Sequence, residues 1–137
     1  MIREFDHVGV VVKDTRETAE RFSSLFGFEV GECEEFPEKG FKSTFISKEK
    51  VTIELIEPLG TAGTIQRFVQ KRGYGLHHIS LRVDDIEQEI EVLESMGAKP
   101  LSSKPTRMTD TTEIAFLDPS STAGILMELM CRTAGQA

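Results

Sequence analysis

The chain has 137 residues, 39% hydrophobic and 28% charged, with a formal net charge of −7 from 16 basic and 23 acidic residues. That length fits one domain with enough apolar material for a core. The acidic balance argues against a nucleic-acid backbone as partner, and no apolar run approaches the ~18 residues of a membrane span.

The N-terminus carries no charged-then-apolar-then-small pattern, so no signal peptide is expected. Cys33 and Cys131 lack metal-type spacing and are expected as free thiols, which together with the missing export signal predicts a cytoplasmic protein.

Residues 4–12 read as a strand with Val8, Val10 and Val12 on one face and Phe5, His7, Gly9 and Val11 on the other. Asp14 is placed to cap a helix, with Glu17 three residues on. Ala19, Phe22, Leu25 and Phe26 form its apolar stripe, and Gly27 stops it. A strand over 28–36 leads to the turn Pro37-Glu38-Lys39-Gly40. Strands over 41–47 and 51–57 follow, around the turn Lys48-Glu49-Lys50. Residues 58–75 are a connector holding a short helix capped by Thr64, with Ile65, Phe68 and Val69 inward.

The pattern then recurs. Residues 76–83 read as a strand with Ile79, Leu81 and Val83 on one face. Asp85 caps a helix with stripe Ile86, Ile90, Leu93 and Met96, stopped by Gly97. A short strand is expected over 99–102 and a polar loop over 103–112. Two strands over 113–117 and 124–131 follow, around the turn Asp118–Ser121. Residues 132–137 are expected to fray. The order, caps and stops match across the copies, which indicates a duplication. The expected class is α+β: one domain over 1–137, with module one about 4–57, the connector 58–75 and module two about 76–131.

Each copy opens with a histidine, His7 or His78, on the face away from its helix. Each closes with a carboxylate, Glu54 or Glu128, that interrupts an apolar strand. A buried carboxylate needs a cation or a proton. Two such breaks at matching places predict a shared divalent-metal site built from His7, Glu54, His78 and Glu128. The mixed nitrogen and oxygen donors suit cobalt, nickel, manganese, iron or zinc more than calcium, and cobalt is the expected ion among them. A six-coordinate ion would keep two positions for a bidentate substrate such as a 1,3-dicarbonyl or an enediolate, and would act as a Lewis acid. His77 is the repeat partner of Asp6, so the register sets it aside.

Paired β-α-β-β-β units of this kind resemble the vicinal oxygen chelate (glyoxalase/dioxygenase) superfamily, and within it the methylmalonyl-CoA epimerases. The resemblance rests on Asp6-His7-Val8-Gly9-Val10, Phe36-Pro37-Glu38-Lys39-Gly40, Ile53-Glu54-Leu55-Ile56-Glu57-Pro58, Arg72-Gly73-Tyr74-Gly75-Leu76-His77-His78-Ile79, Ala115-Phe116-Leu117 and Ile125-Leu126-Met127-Glu128-Leu129. It implies two tandem modules forming a cupped mixed β-sheet with helices on the outer face. It also implies metal ligation by His7, His78 and Glu128, with Glu54 where relatives carry Glu or Gln. Glu38 and Glu128 are the implied acid/base pair, acting on an acyl-CoA substrate in a homodimer. The alternatives are a glyoxalase I-like lyase, a ring-cleaving dioxygenase, and a metal-free binding protein of the same fold.

Overall fold

The structure is a computed structural model, described over residues 1–133. Those residues form eight strands and three α-helices. They divide into two compact units, His7–His77 and Met1–Asp6 with the chain from His78 on.

In the first unit, β1 (Ile2–Val11) leads to α1 (Thr15–Phe26), then β2 (Glu29–Phe36), β3 (Phe41–Lys48), β4 (Val51–Pro58) and α2 (Thr64–Arg72). The strands lie in the order β2-β3-β4-β1. β2–β3 and β3–β4 are antiparallel, and β4–β1 is parallel, with Gly9 opposite Glu54 and Val11 opposite Ile56. Asp14 caps α1 as expected, its Oδ1 accepting the Glu17 N–H at 2.9 Å, and Gly27 ends it at φ 77°. The N–H of Thr15, one of the donors a helix leaves orphaned at its start, goes to Glu57 Oε1 on β4 at 2.8 Å.

The second unit repeats this plan with β5 (Gly75–Val83), α3 (Ile86–Ser95), β6 (Thr106–Thr109), β7 (Thr112–Leu117) and β8 (Met127–Arg132). Its strands follow the same order, β6-β7-β8-β5, with only β8–β5 parallel. Asp85 accepts the Gln88 N–H at 3.1 Å. The duplication is therefore one of hydrogen-bond register as well as of sequence.

One face of each strand set meets its helix. Ala19 and Phe22 of α1 pack with Ile46, Ile53 and Leu55. Ile86, Ile90 and Leu93 of α3 pack with Val83, Ala115 and Leu129. On the other face of the first unit, Ile65, Phe68 and Val69 of α2 cover Val11 and Ile56. Two expected stripes are shorter than their periodicity suggests: Leu25, Phe26 and Met96 sit at helix ends beyond the sheet and are exposed.

Several boundaries differ from expectation for local reasons. Residues 99–102 form no strand. Pro100 cannot donate to a ladder, and the segment makes only a single bridge to Leu117. The strand falls instead at Thr106–Thr109, within the stretch expected to be a polar loop. It is an edge strand paired only with β7, so it shows no apolar alternation. β8 starts at Met127, not Gly124, because Ala123 and Gly124 hold left-handed φ values of 59° and 84°. Arg132, expected to fray, closes β8 and pairs with Asp6 at 2.7 Å. Thr133, also expected to fray, donates its N–H to the Thr111 carbonyl at 2.8 Å, and the remaining residues of that expectation, 134–137, lie outside the described residues. β1 begins two residues early, its start held by the pairs Arg3–Asp84 and Glu4–Arg82. Thr64 opens α2 without capping it; Gly63 is the N-cap residue.

Among the described residues no helix is long and apolar enough to cross a membrane. Both cysteines are free thiols. Burial, with the negative charges of Glu113, Asp85 and Asp84, pushes the Cys131 thiol up from its ordinary range, and its Sγ donates to the Asp84 carbonyl at 3.2 Å. Cys33 is exposed.

Two outcomes follow from this packing. Leu129→Ala, at a site with no exposure, lowers the free energy of denaturant unfolding by about 2–5 kcal/mol. A neutral-pH titration with a thiol reagent shows a fast phase from Cys33 and a slow one from Cys131, and Cys33→Ser removes only the fast phase.

Candidate metal centre

Strand alternation puts every second side chain on the face away from α1 and α3. In the first unit that face carries His7 and Glu54. His7 is fully buried, and its Nε2 lies 3.3 Å from Glu54 Oε1, a carboxylate with 13% side-chain exposure. Phe45, directly across from Glu54 on β3, meets the His7 ring edge-on at 5.2 Å between centroids.

The second unit repeats the arrangement. His78 Nε2 lies 3.8 Å from Glu128 Oε1, and both residues are buried. Phe116, directly across from Glu128 on β7, meets the His78 ring edge-on at 5.6 Å. Each unit thus holds a buried imidazole beside a buried or nearly buried carboxylate, walled by one aromatic ring.

The four predicted ligands fall into these two pairs, one from each module. The donors are imidazole nitrogen and carboxylate oxygen. Cys33 sits exposed on β2, and Cys131 packs on the α3 side, so neither pair includes a thiolate. This donor chemistry fits a borderline divalent cation. Neutral imidazoles would donate nitrogen, and the carboxylates would offset the charge of the ion. The His77 ring lies edge-on to Phe68 of α2, 4.9 Å between centroids.

Glu38 lies on a single 3₁₀ turn, Pro37–Lys39, between β2 and β3, and is exposed. Phe36 and Phe41 stack at 5.0 Å across the base of the turn. Its far side is seated on the connector before α2. The Leu59 N–H donates to the Gly40 carbonyl at 2.8 Å. A Cβ on Gly40, at φ 80°, would stand 2.7 Å from the Ala62 carbonyl oxygen; one on Gly63 would stand 3.1 Å from that of Lys39. Backbone meets backbone here, which only glycine permits.

Residue-by-residue reading of the sequence did not find Phe45 and Phe116. Their distances along the chain from Glu54 and Glu128 differ because the two hairpin loops differ in length; only the antiparallel register makes them equivalent.

The sequence model of the glyoxalase/bleomycin resistance protein/dioxygenase superfamily matches residues 6–116. The chain belongs to that superfamily. It is 34% identical over 131 residues to the ethylmalonyl-CoA/methylmalonyl-CoA epimerase of Cereibacter sphaeroides, covering 94% of this chain and 98% of that one. Two solved structures are also similar. A methylmalonyl-CoA epimerase in complex with methylmalonyl-CoA and ammonium superposes with a TM-score of 0.89 at 26% identity, over 98% of this chain and 97% of the other. A Streptomyces coelicolor methylmalonyl-CoA epimerase variant in complex with 2-nitronate-propionyl-CoA gives 0.90 at 26% identity, over 100% and 99%. The fold is that of these vicinal oxygen chelate proteins.

Gly40→Ala adds a Cβ where backbone already stands and forces a left-handed φ on a side-chain-bearing residue. Thermal or denaturant unfolding is expected to show a loss of about 1–3 kcal/mol.

Proposed function

We propose that the protein is a metal-dependent epimerase that interconverts the two epimers of methylmalonyl-CoA, with His7, Glu54 and His78, joined by Glu128, holding one divalent ion. The observation that carries this reading is the repeated register of imidazole, carboxylate and aromatic ring in both units. The similarity to epimerases across nearly the whole chain supports the acyl-CoA substrate. Cobalt is the first ion to test, ahead of nickel, manganese, zinc and iron. A cytoplasmic homodimer belongs to the same reading.

When bound, the ion supplies a Lewis acid for the negative charge that develops on the thioester oxygen. The proton work falls to the chain. Inversion removes the proton on C2 from one face and returns a proton to the other, so it needs two groups. Glu38 is the exposed candidate, carried on a turn whose base is seated on the connector before α2. Glu128 is the buried one, fixed beside His78. One begins as carboxylate and the other as carboxylic acid. Each turnover exchanges their protonation states, and proton exchange with water, or the reverse reaction, restores them.

Metal analysis of the purified chain is expected to find one equivalent of a divalent ion, and His7→Ala or His78→Ala to remove it. In heavy water, methylmalonyl-CoA is expected to gain deuterium at C2. Glu38→Gln keeps the metal and lowers epimerisation by about 10²–10⁴-fold. Turnover of a glutathione hemithioacetal, with no exchange into methylmalonyl-CoA, would overturn the epimerase reading in favour of a lyase.

A further inference from the structure

The duplication breaks at a buried place beside the site. Two residues beyond each histidine, on the same face of the strand, the first unit has Gly9 and the second has Ser80. Both lie directly across a parallel pairing from the carboxylate of their unit, Gly9 from Glu54 and Ser80 from Glu128. Ser80 has no exposure, and its hydroxyl has no hydrogen-bond partner among the described residues. A buried hydroxyl left unpartnered is costly, so its presence calls for a physical reason. Alanine or glycine would fill the same place at no such cost.

Neighbouring strands lie ~4.8 Å apart, so the Ser80 hydroxyl stands beside the base of the Glu128 side chain. Glu128 has two oxygens. Carboxylates that ligate metals are themselves held by hydrogen bonds, commonly through the oxygen that does not face the ion. Ser80 has a donor to give, and it faces Glu128 directly across the β5–β8 pairing.

We propose that Ser80 is a positioning residue: its hydroxyl donates to the Glu128 carboxylate when that carboxylate serves the metal. Glu128 becomes the held ligand of the site. Glu54, faced by Gly9, has no hydroxyl directly across from it. The two carboxylates of the duplicated set thereby differ in what stands across from them, and the one faced by a hydroxyl is Glu128, which also handles a proton in the proposed reaction. The inference rests on the metal reading above.

The test uses Ser80→Ala and Ser80→Gly, the latter copying Gly9. Cobalt titration followed by visible absorption gives affinity without any substrate, and thermal melts are run on metal-free protein. Cobalt affinity is expected to fall about tenfold in both variants. The metal-free melting temperature of Ser80→Ala is expected to hold or rise, because the hydroxyl removed had no partner there. This opposition of sign separates a positioning role from a structural one. Wild-type affinity in Ser80→Ala overturns the proposal, as does a lower metal-free melting temperature, which would mean the hydroxyl serves the fold. Failure of the wild-type protein itself to bind cobalt overturns the metal reading, and the role of Ser80 with it.

Discussion

Carboxylates do not enter protein interiors unaccompanied. In this chain each module buries or nearly buries one on its last strand and sets a buried imidazole beside it, Glu54 with His7 and Glu128 with His78. The arrangement depends on a parallel pairing between the first and last strands of the module. A slip of one residue would turn the carboxylate towards the helix and place an apolar side chain beside the histidine. The packing of α1 and α3 on the opposite faces makes such a slip costly, since Leu55 and Leu129 would leave their cores. The apolar core thus holds the polar pairs in register.

Much of this was legible in the sequence because the duplication gives each weak signal a second witness. A single histidine at a strand start means little; His7 and His78 at the same repeat position, each matched by a Glu, mean more. The caps Asp14 and Asp85 were readable from local chemistry alone. What escaped detection depends on pairing. Thr106–Thr109 is a strand only because β7 lies beside it, and its residues carry no apolar period. The aromatic walls, Phe45 and Phe116, are equivalent only through a ladder that spans loops of unequal length. The role of Glu38 was suggested by resemblance; the backbone contact of its turn with Gly63 had no sequence signal beyond the glycines themselves.

The modules also differ where their strands end. In the first, α2 lays Ile65 and Phe68 over Val11 and Ile56, closing that face with apolar contacts. In the second, the corresponding stretch carries Arg82 and Arg132, paired with Glu4 and Asp6. A cavity of about 410 Å³ there is lined by Arg3, Arg82 and Arg132 together with acidic partners. The duplicated unit has been finished in two ways, one dry and one charged, around the same internal register.

One further pair of matched positions shows what such divergence entails. Glu57 and Cys131 each stand three residues after the module's carboxylate. Each ties the last strand to the entrance of the helix, Glu57 to the Thr15 amide and Cys131 to the Asp84 carbonyl. The first tie is a carboxylate accepting from a neutral amide, with no group that an oxidant alters. The second is a thiol contact whose donor, once oxidised, becomes a bulkier acid, a change slowed because the thiol is pushed up from its ordinary range. Two halves built to one plan therefore carry different chemical vulnerabilities: only the second seam is exposed to slow damage by peroxide.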